Sequence, residues 1–233
     1  TSEGVNHSVI EGAAVVPTSV DLSSSENPTT YGRLISFSAD VNAENGSTPA
    51  GTVQFSVDGT DIGDPVTVNG DGVATSALLA APEPGDHTVI ASFQAEAGYA
   101  GSGAIITQTV TDAGVVLDLG SSDVNSDYGQ SVHFTTHGAA AQAGAAMPTG
   151  FVQFRVDGSD LGDAVEVQDG AAVSPAISDL APGAHQVTAL YSGDTHFESD
   201  QTTLTQNVAK IGTTTGLGVS PTSSTYGDPL DLT

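Results

Sequence analysis

Apolar and polar residues alternate over short stretches of this chain, and no long segment has the 3.6-residue period of a helix. The alternation is clearest in segments 35–41, 53–57 and 89–93, whose apolar members are Ile35, Phe37, Ala39, Val41, Val53, Phe55, Val57, Val89, Ala91 and Phe93. Such alternation predicts β-strands that bury one face and expose the other, as in the sheets of an antiparallel sandwich.

The same pattern recurs about 98 residues later along the chain. Matched blocks appear in the same order: Tyr31-Gly32 with Tyr128-Gly129, Pro49–Gly59 with Pro148–Gly158, Gly85–Val89 with Gly183–Val187, and Thr107–Val110 with Thr205–Val208. The first block occurs once more as Tyr226-Gly227. Self-similarity at a fixed period indicates tandem repeats, and a unit of this size fits one β-sandwich domain.

The spacing divides the chain into two complete repeats, 15–114 and 115–212, and two partial ones. Residues 1–14 match the last strand of a preceding repeat, and residues 213–233 match the start of a third. The chain begins without Met or a signal-peptide pattern, so we expect it to be an internal piece of a longer protein. The connections between repeats are very short, which predicts a semi-rigid rod.

Within each complete repeat, the turn signals separate seven short predicted strands. Asp58-Gly59 and its copy Asp157-Gly158 are hairpin-turn signals. The strand at Thr75 and Val173 is interrupted by Pro175 in its second copy, which predicts an edge strand. The centre of the first core is predicted to contain Phe37, Val53, Phe55, Val89 and Phe93. A domain of this size can form such a core without disulfides, and the chain has no Cys.

Charge narrows the classes of partner. Charged residues make up only 13% of the chain, and the net charge is -25 because Lys and Arg total 3. Nucleic-acid binding requires clustered Lys and Arg, and the chain lacks such clusters. An anionic membrane surface would repel the chain for the same reason. No run of 18 apolar residues is present either, so we expect no membrane insertion.

Taken together, these motifs resemble bacterial Ig-like repeat domains, which occur in tandem in large bacterial surface proteins. The resemblance depends on the repeated Tyr-Gly, the Pro-x-Gly-x-Val-x-Phe run at 49–55, the Asp-Gly turn, the Gly-x-His-x-Val strand at 85–89 and the tract Tyr191–Asp194. It covers nearly the whole chain, although the first repeat departs from it at Phe93–Tyr99. It implies an all-β fold of tandem immunoglobulin-like β-sandwiches, and it brings no catalytic residues.

Acidic residues in the first hairpin turn are the candidate metal ligands. Calcium prefers clustered oxygen ligands, and carboxylates spaced by three residues in a loop can converge. The candidate residues are Asp58, Asp61 and Asp64 in the first repeat and Asp157, Asp160 and Asp163 in the second. The alternative is that the acids face water and that turn chemistry alone explains the Asp-Gly pairs. No other cofactor is expected.

The histidines favour structural roles. His87 and His185 occupy equivalent positions in phase with the core residues of their strand, which favours a structural histidine, with a ligand or pH-sensing role as the alternative. His133 and His137 lie about 13 Å apart in an extended strand, too far to share a metal. No nucleophile-elbow motif is present, and we expect no enzymatic activity.

Besides a role as an accessory domain of an enzyme, three non-enzymatic functions remain open at this point. The first, implied by the resemblance, is a structural spacer or stalk segment of a secreted or cell-surface bacterial protein, an adhesin in particular. The second is a binding module for a glycan or protein, for which Tyr99 is the one exposed aromatic candidate. The third is an Ig-like module of a virion or an extracellular appendage. In each case, neighbouring repeats of the same chain are expected partners.

Overall fold

A computed structural model describes residues 15–143, 145–220, 223, 225–227, 229 and 231–232. The predicted strand of a preceding repeat, in residues 1–14, lies outside these residues. Every regular element among the described residues is a β-strand, which confirms the all-β prediction. No helix in this part of the chain has the length and apolar character needed to cross a membrane.

The first repeat contains more strands than the seven predicted, because several are only two or three residues long. In chain order they are β1 (Thr18–Ser24), β2 (Thr29–Thr30), β3 (Leu34–Ile35), β4 (Phe37–Ala43), β5 (Gly51–Val57), β6 (Thr60–Asp61), β7 (Val66–Thr67), β8 (Val73–Thr75), β9 (Leu79–Ala80), β10 (Gly85–Ala95) and β11 (Ser102–Thr111).

The second repeat follows the same order. Its strands are β12 (Val115–Ser121), β13 (Asn125–Asp127), β14 (Phe134–Ala140), β15 (Phe151–Val156), β16 (Ser159–Asp160), β17 (Val165–Glu166), β18 (Ala171–Val173), β19 (Gly183–Tyr191) and β20 (Asp200–Ala209). A short antiparallel pair, β21 (Val219–Ser220) and β22 (Asp231–Leu232), lies in the segment that matches the start of a third repeat.

Each repeat contains two main sheets. In the first repeat, one sheet has the strand order β1-β4-β8, and the other has the order β2-β11-β10-β5-β6 with β7 also paired to β5. In the second repeat, the matching orders are β12-β14-β18 and β13-β20-β19-β15-β16, with β17 paired to β15. The strands β8 and β18 lie at sheet edges, as Pro175 predicted.

The named strands pair in antiparallel fashion except where the chain changes sheets near the start of each repeat. β1 pairs with β4, whereas β2 pairs in parallel with β11 in the opposite sheet. The crossing segment is held by Gln108, a fully buried side chain of β11 whose amide donates to the Glu26 carbonyl at 3.0 Å. Asn27 makes a second contact to β11, because its Oδ1 accepts a hydrogen bond from the Thr109 amide at 3.0 Å.

The core of each repeat lies between its two sheets. The predicted central residues of the first repeat are all buried in one cluster, with Phe55 and Phe37 each 1% exposed. In the second repeat, Phe134 and Phe154 occupy the equivalent positions and are fully buried. The inward residues of the alternating pattern are therefore the core residues, as the sequence predicted.

Candidate functional site

The Asp-Gly hairpin turn between β5 and β6 is the first candidate site. Asp58 and Gly59 have φ angles of 50° and 80°, the left-handed pair that a tight two-residue hairpin requires. Asp58 also bonds to the neighbouring strand β10, because its backbone amide donates to the Thr88 carbonyl at 2.9 Å and its Oδ1 accepts from the Thr88 amide at 2.8 Å. The side chain thus extends the strand pairing past the end of β5.

The other oxygen of this carboxylate fixes the histidine of β10. His87 Nδ1 lies 2.7 Å from Asp58 Oδ2, and His87 Nε2 lies 2.7 Å from the carbonyl oxygen of Glu83. The side chain of His87 is only 14% exposed. We call this arrangement of Asp58, His87 and the Glu83 carbonyl the histidine clamp; it joins the hairpin turn to the loop that precedes β10.

The second repeat contains the same clamp. His185 Nδ1 lies 2.7 Å from Asp157 Oδ2, and His185 Nε2 lies 2.6 Å from the Ala181 carbonyl oxygen. Asp157 Oδ1 accepts from the Gln186 amide at 2.9 Å, as Asp58 does from Thr88. The matching contacts are those of a structural histidine, the role that the sequence favoured.

The partners of the clamp histidines favour the charged imidazolium. A carboxylate and a carbonyl oxygen only accept hydrogen bonds, so both ring nitrogens must carry a proton to satisfy both contacts. Burial lowers the pKa of His87, but its bonds to Asp58 and to the Glu83 carbonyl outweigh that effect and leave the pKa raised. The Ala181 carbonyl and Asp157 likewise raise the pKa of His185. The bonds from the histidines lower the pKa of Asp58 and Asp157.

The structure places the predicted calcium ligands in different environments. Asp58 and Asp157 belong to the clamps, and Asp160 Oδ1 accepts from Arg155 Nε at 2.6 Å. The remaining candidates, Asp61, Asp64 and Asp163, are exposed. Among the described residues, no group of three or more acidic or histidine side chains is arranged to hold a metal ion. Calcium binding at these turns stays a prediction.

Sequence reasoning missed the organising role of Asp194 in the loop between β19 and β20. Its Oδ2 accepts from the amide and hydroxyl of Thr149, and its Oδ1 accepts from the amides of His196 and Phe197, at distances of 2.6 to 3.0 Å. Burial raises the pKa of Asp194, but these bonds outweigh it and leave the pKa lowered. The signal in the sequence was the Tyr191–Asp194 tract, which does not reveal the partner Thr149.

The other candidates have plain surroundings. His133 and His137 are both exposed on β14 or directly before it, as expected for surface histidines. Tyr99, the aromatic candidate for ligand binding, is half-buried, and its hydroxyl lies 2.9 Å from Ser47 Oγ. Its backbone also forms a parallel bridge with Val16. Tyr99 is therefore part of the internal order of its own loop.

Comparison with protein families gives a clear match. The profile described as bacterial Ig-like domain (group 3) matches residues 22–111 and again residues 119–209. Both matches fall inside the repeats that the sequence periodicity predicts. No curated protein sequence matches the chain significantly.

The chain is also similar to solved structures, at low sequence identity. Invasin, a bacterial integrin-binding protein, has a TM-score of 0.54 at 15% identity, over 86% of this chain and 42% of that one. A tetra-tandem repeat from the extending region of a large adhesion protein has a TM-score of 0.46 at 17% identity, over 83% and 49%. The Yersinia pseudotuberculosis adhesin InvE has a TM-score of 0.40 at 16% identity, over 81% and 59%. The chain therefore spans roughly half the length of these structures, and the likeness to invasin concerns the fold alone.

Proposed function

Because this chain belongs to the bacterial Ig-like domain family (group 3), we propose that it is a non-enzymatic spacer segment in the stalk of a secreted or cell-surface bacterial protein. An adhesin is the proposed parent protein. The junction between the two complete repeats supports the proposal, because a spacer must keep a fixed distance between its two ends.

The backbone at this junction has little freedom. β11 ends at Thr111 and β12 begins at Val115. Between them, the amide of Ala113 donates to the His196 carbonyl at 2.8 Å, and the Ala113 carbonyl accepts from the Glu198 amide at 2.9 Å. Ala113 is fully buried in the core cluster of the second repeat. The connection is thus paired and packed, which supports a semi-rigid rod.

The composition suits an exposed spacer. A net charge of -25 makes neighbouring rods repel one another, which keeps them apart on a surface. With only 3 Lys and Arg residues, the chain offers few cleavage sites to trypsin-like proteases. Neither feature provides a binding site, and Tyr99 is used within its own loop, so no described contact favours the binding-module hypothesis over the spacer.

Location decides the proposal. We would label the source cells with immunogold, using an antibody raised against residues 15–212. Gold along the envelope or on projecting fibres is the expected result. Gold confined to the cytoplasm would contradict the proposal, and gold confined to phage particles would favour the virion hypothesis instead.

The rod has its own test in small-angle X-ray scattering of the purified chain. The expected distance distribution has a long tail, as for two sandwiches end to end. A compact distribution from two repeats folded back on each other would contradict the spacer mechanism whatever the location of the protein.

A further inference from the structure

Side chains of the first repeat contact the second repeat beside the backbone connection. The ring of Tyr31 stacks on His196 with centroids 4.6 Å apart and an interplanar angle of 27°. It also meets Phe197 edge-on at 6.1 Å and packs against the core cluster of the second repeat. Stacked and edge-on geometries are the favoured arrangements of aromatic pairs. A residue of one repeat therefore extends the core of the next.

The backbone of the first repeat also approaches the second closely. Gly32 has a φ of +83°, and a Cβ placed on it would lie 2.7 Å from the Cβ of Ala145 and 2.9 Å from the Ala145 amide nitrogen. Real Cβ atoms do not come that close to such neighbours. The repeats can meet in this orientation only because residue 32 has no side chain.

A contact between a carboxylate and an imidazole ring completes the meeting of the two repeats. The carboxylate of Glu83 pairs with Nε2 of His196 across the junction. The position of Glu83 is set by its own repeat, because its carbonyl accepts from His87 of the histidine clamp. The position of His196 is set by Asp194, which accepts from its amide at 2.8 Å. Both partners are thus held in place by contacts within their own repeats, which lowers the entropic cost of pairing.

We infer that Tyr31, Gly32 and Glu83 form a specific interaction surface whose partner is the Ala145, His196 and Phe197 surface of the second repeat, and that this interface holds the two repeats in one orientation. We call it the junction interface. It deepens the spacer proposal by assigning the stiffness of the rod to named side chains. The inference is tested on the purified chain, so it would still hold if immunogold labelling contradicted the proposed cellular location.

Equivalent positions elsewhere lack part of this set. The far end of the second repeat carries Tyr128 and Gly129, but Ala181 stands where the first repeat has Glu83. In the loop of the first repeat, Gly98 makes the backbone bond to Val16 that His196 makes to Ala113. The Glu83–His196 pair is therefore specific to this junction and is not repeated at the equivalent positions.

The glycines provide a matched pair of variants in the full chain. Gly32 and Gly129 both have a φ of +83°, so Gly32→Ala and Gly129→Ala impose the same backbone strain. Only the first meets a neighbour, because no atom of the described residues lies within 4 Å of a Cβ placed on Gly129. Any difference between the two variants therefore reports on the junction interface.

Residual dipolar couplings measure the orientation directly. We expect the wild-type chain and the Gly129→Ala variant to fit one alignment tensor over both repeats. The Gly32→Ala variant is expected to require a separate tensor for each repeat. If Gly32→Ala still fits the single wild-type tensor, or if the wild type itself needs two, the inference is wrong.

A second measurement detects coupling between the repeats. Tyr31→Ala removes a contact to the second core, so hydrogen exchange of β14 and β19 should become faster, by about tenfold, although the change lies in the first repeat. Tyr128→Ala is the matched control and should leave β4 and β10 unchanged. Glu83→Gln should give a smaller effect of the same kind, and Glu44→Gln, an exposed acid in the same repeat, should give none. If Tyr31→Ala speeds hydrogen exchange in the first repeat only, the inference that the junction interface couples the two repeats is wrong.

Discussion

The two complete repeats build the same loop with different side chains. In the second repeat, the carboxylate of Asp194 holds the loop before β20 through Thr149 and two backbone amides. In the first repeat, the hydroxyl of Tyr99 holds the corresponding loop before β11 through Ser47 at 2.9 Å. One anchor is a charged acceptor and the other is an aromatic ring with a polar tip.

The backbone result is nevertheless the same. Val16 donates to the Gly98 carbonyl at 2.8 Å in the first repeat, and Ala113 donates to the His196 carbonyl at 2.8 Å in the second. In both repeats the loop therefore receives the incoming chain as a short parallel bridge. The comparison shows that the position of the loop is kept while the chemistry that holds it varies.

A buried glutamine shows the reverse case, in which the residue is kept and its partners vary. Gln206 Oε1 accepts from the Ser121 hydroxyl at 2.6 Å. In the first repeat, the equivalent Ser24 hydroxyl donates to the Glu26 carbonyl instead, and Gln108 Oε1 has no hydrogen-bond partner among the described residues. A buried acceptor without a partner costs free energy. At this position, the second repeat therefore pairs a buried acceptor that the first repeat does not pair with a described residue.

The largest expected effect tests what the repeats share. Phe55→Ala and Phe154→Ala each remove a buried ring from equivalent positions, and each should lower the free energy of unfolding of its own repeat by about 3–5 kcal/mol. Urea unfolding followed by NMR signals from each repeat measures the two losses separately. Losses that differ by more than about 1.5 kcal/mol would show that the two cores are not equivalent.

The second-largest expected effect tests the loop anchor that distinguishes the second repeat from the first. Asp194→Ala leaves four hydrogen-bond donors without their acceptor, and we expect the second repeat to lose about 1–3 kcal/mol of unfolding free energy. The control is Glu96→Ala, an exposed acid in the corresponding loop of the first repeat. Comparable losses in both variants would mean that Asp194 does not organise its loop as the contacts suggest.

The histidine clamps have the same contacts in both repeats, so the stability of the two repeats should depend on pH in the same way. The pKa of His87 and His185 is raised in the folded state. Their contribution to the free energy of unfolding is therefore complete below the unfolded pKa of about 6.5, and it is lost as pH rises through the folded pKa. The lowered pKa of Asp58 and Asp157 acts in the opposite direction, and their contribution is lost as pH falls through the folded value. The clamps should therefore stabilise most at mildly acidic pH.

Urea unfolding at pH 6 and pH 9 measures this effect. Each repeat should be less stable at pH 9 than at pH 6, because the neutral imidazole keeps only one of its two donors. The double variant His87→Asn and His185→Asn should show a smaller pH dependence, and His133→Asn, at an exposed position, should behave as the wild type. An undiminished pH dependence in the double variant would show that other groups titrate.

The smallest expected effect concerns the proposed calcium sites. If Asp58, Asp61 and Asp64 and their copies bind calcium at millimolar affinity, calcium at its dissociation constant should stabilise each repeat by about 0.4 kcal/mol. Thermal unfolding with calcium, with magnesium and with chelator measures the shift. Asp61→Asn should abolish it in the first repeat alone, and the absence of any calcium-specific shift in the wild type would remove the proposal.

The strands, their buried faces and the hairpin turns could be predicted from the sequence, because each depends on a short stretch of the chain. A side-chain period of two assigns each strand residue to one face, and the apolar face is the buried one. Phe37 and Phe55 could therefore be placed in the core without any structure. The turn at Asp58-Gly59 was equally local, because its backbone angles favour those two residues.

The partners across the sheets could not be predicted in this way. A shift of strand pairing by two residues keeps every side chain on its face, so the alternation alone does not decide that Asp58 meets His87. The same holds for Gln108 and Glu26, which are 82 positions apart, and for Asp194 and Thr149.

By itself, then, the sequence determined the fold class, the repeat and the buried faces of this protein, because each depends on a pattern that short stretches of chain carry. Only the tertiary structure decided which charged and aromatic groups meet. Tyr31 lies against His196, and Glu83 pairs with the same ring, only after both repeats have folded and Gly32 has brought the backbones together. Contacts of that kind depend on distances between folded surfaces, and a linear pattern does not contain them.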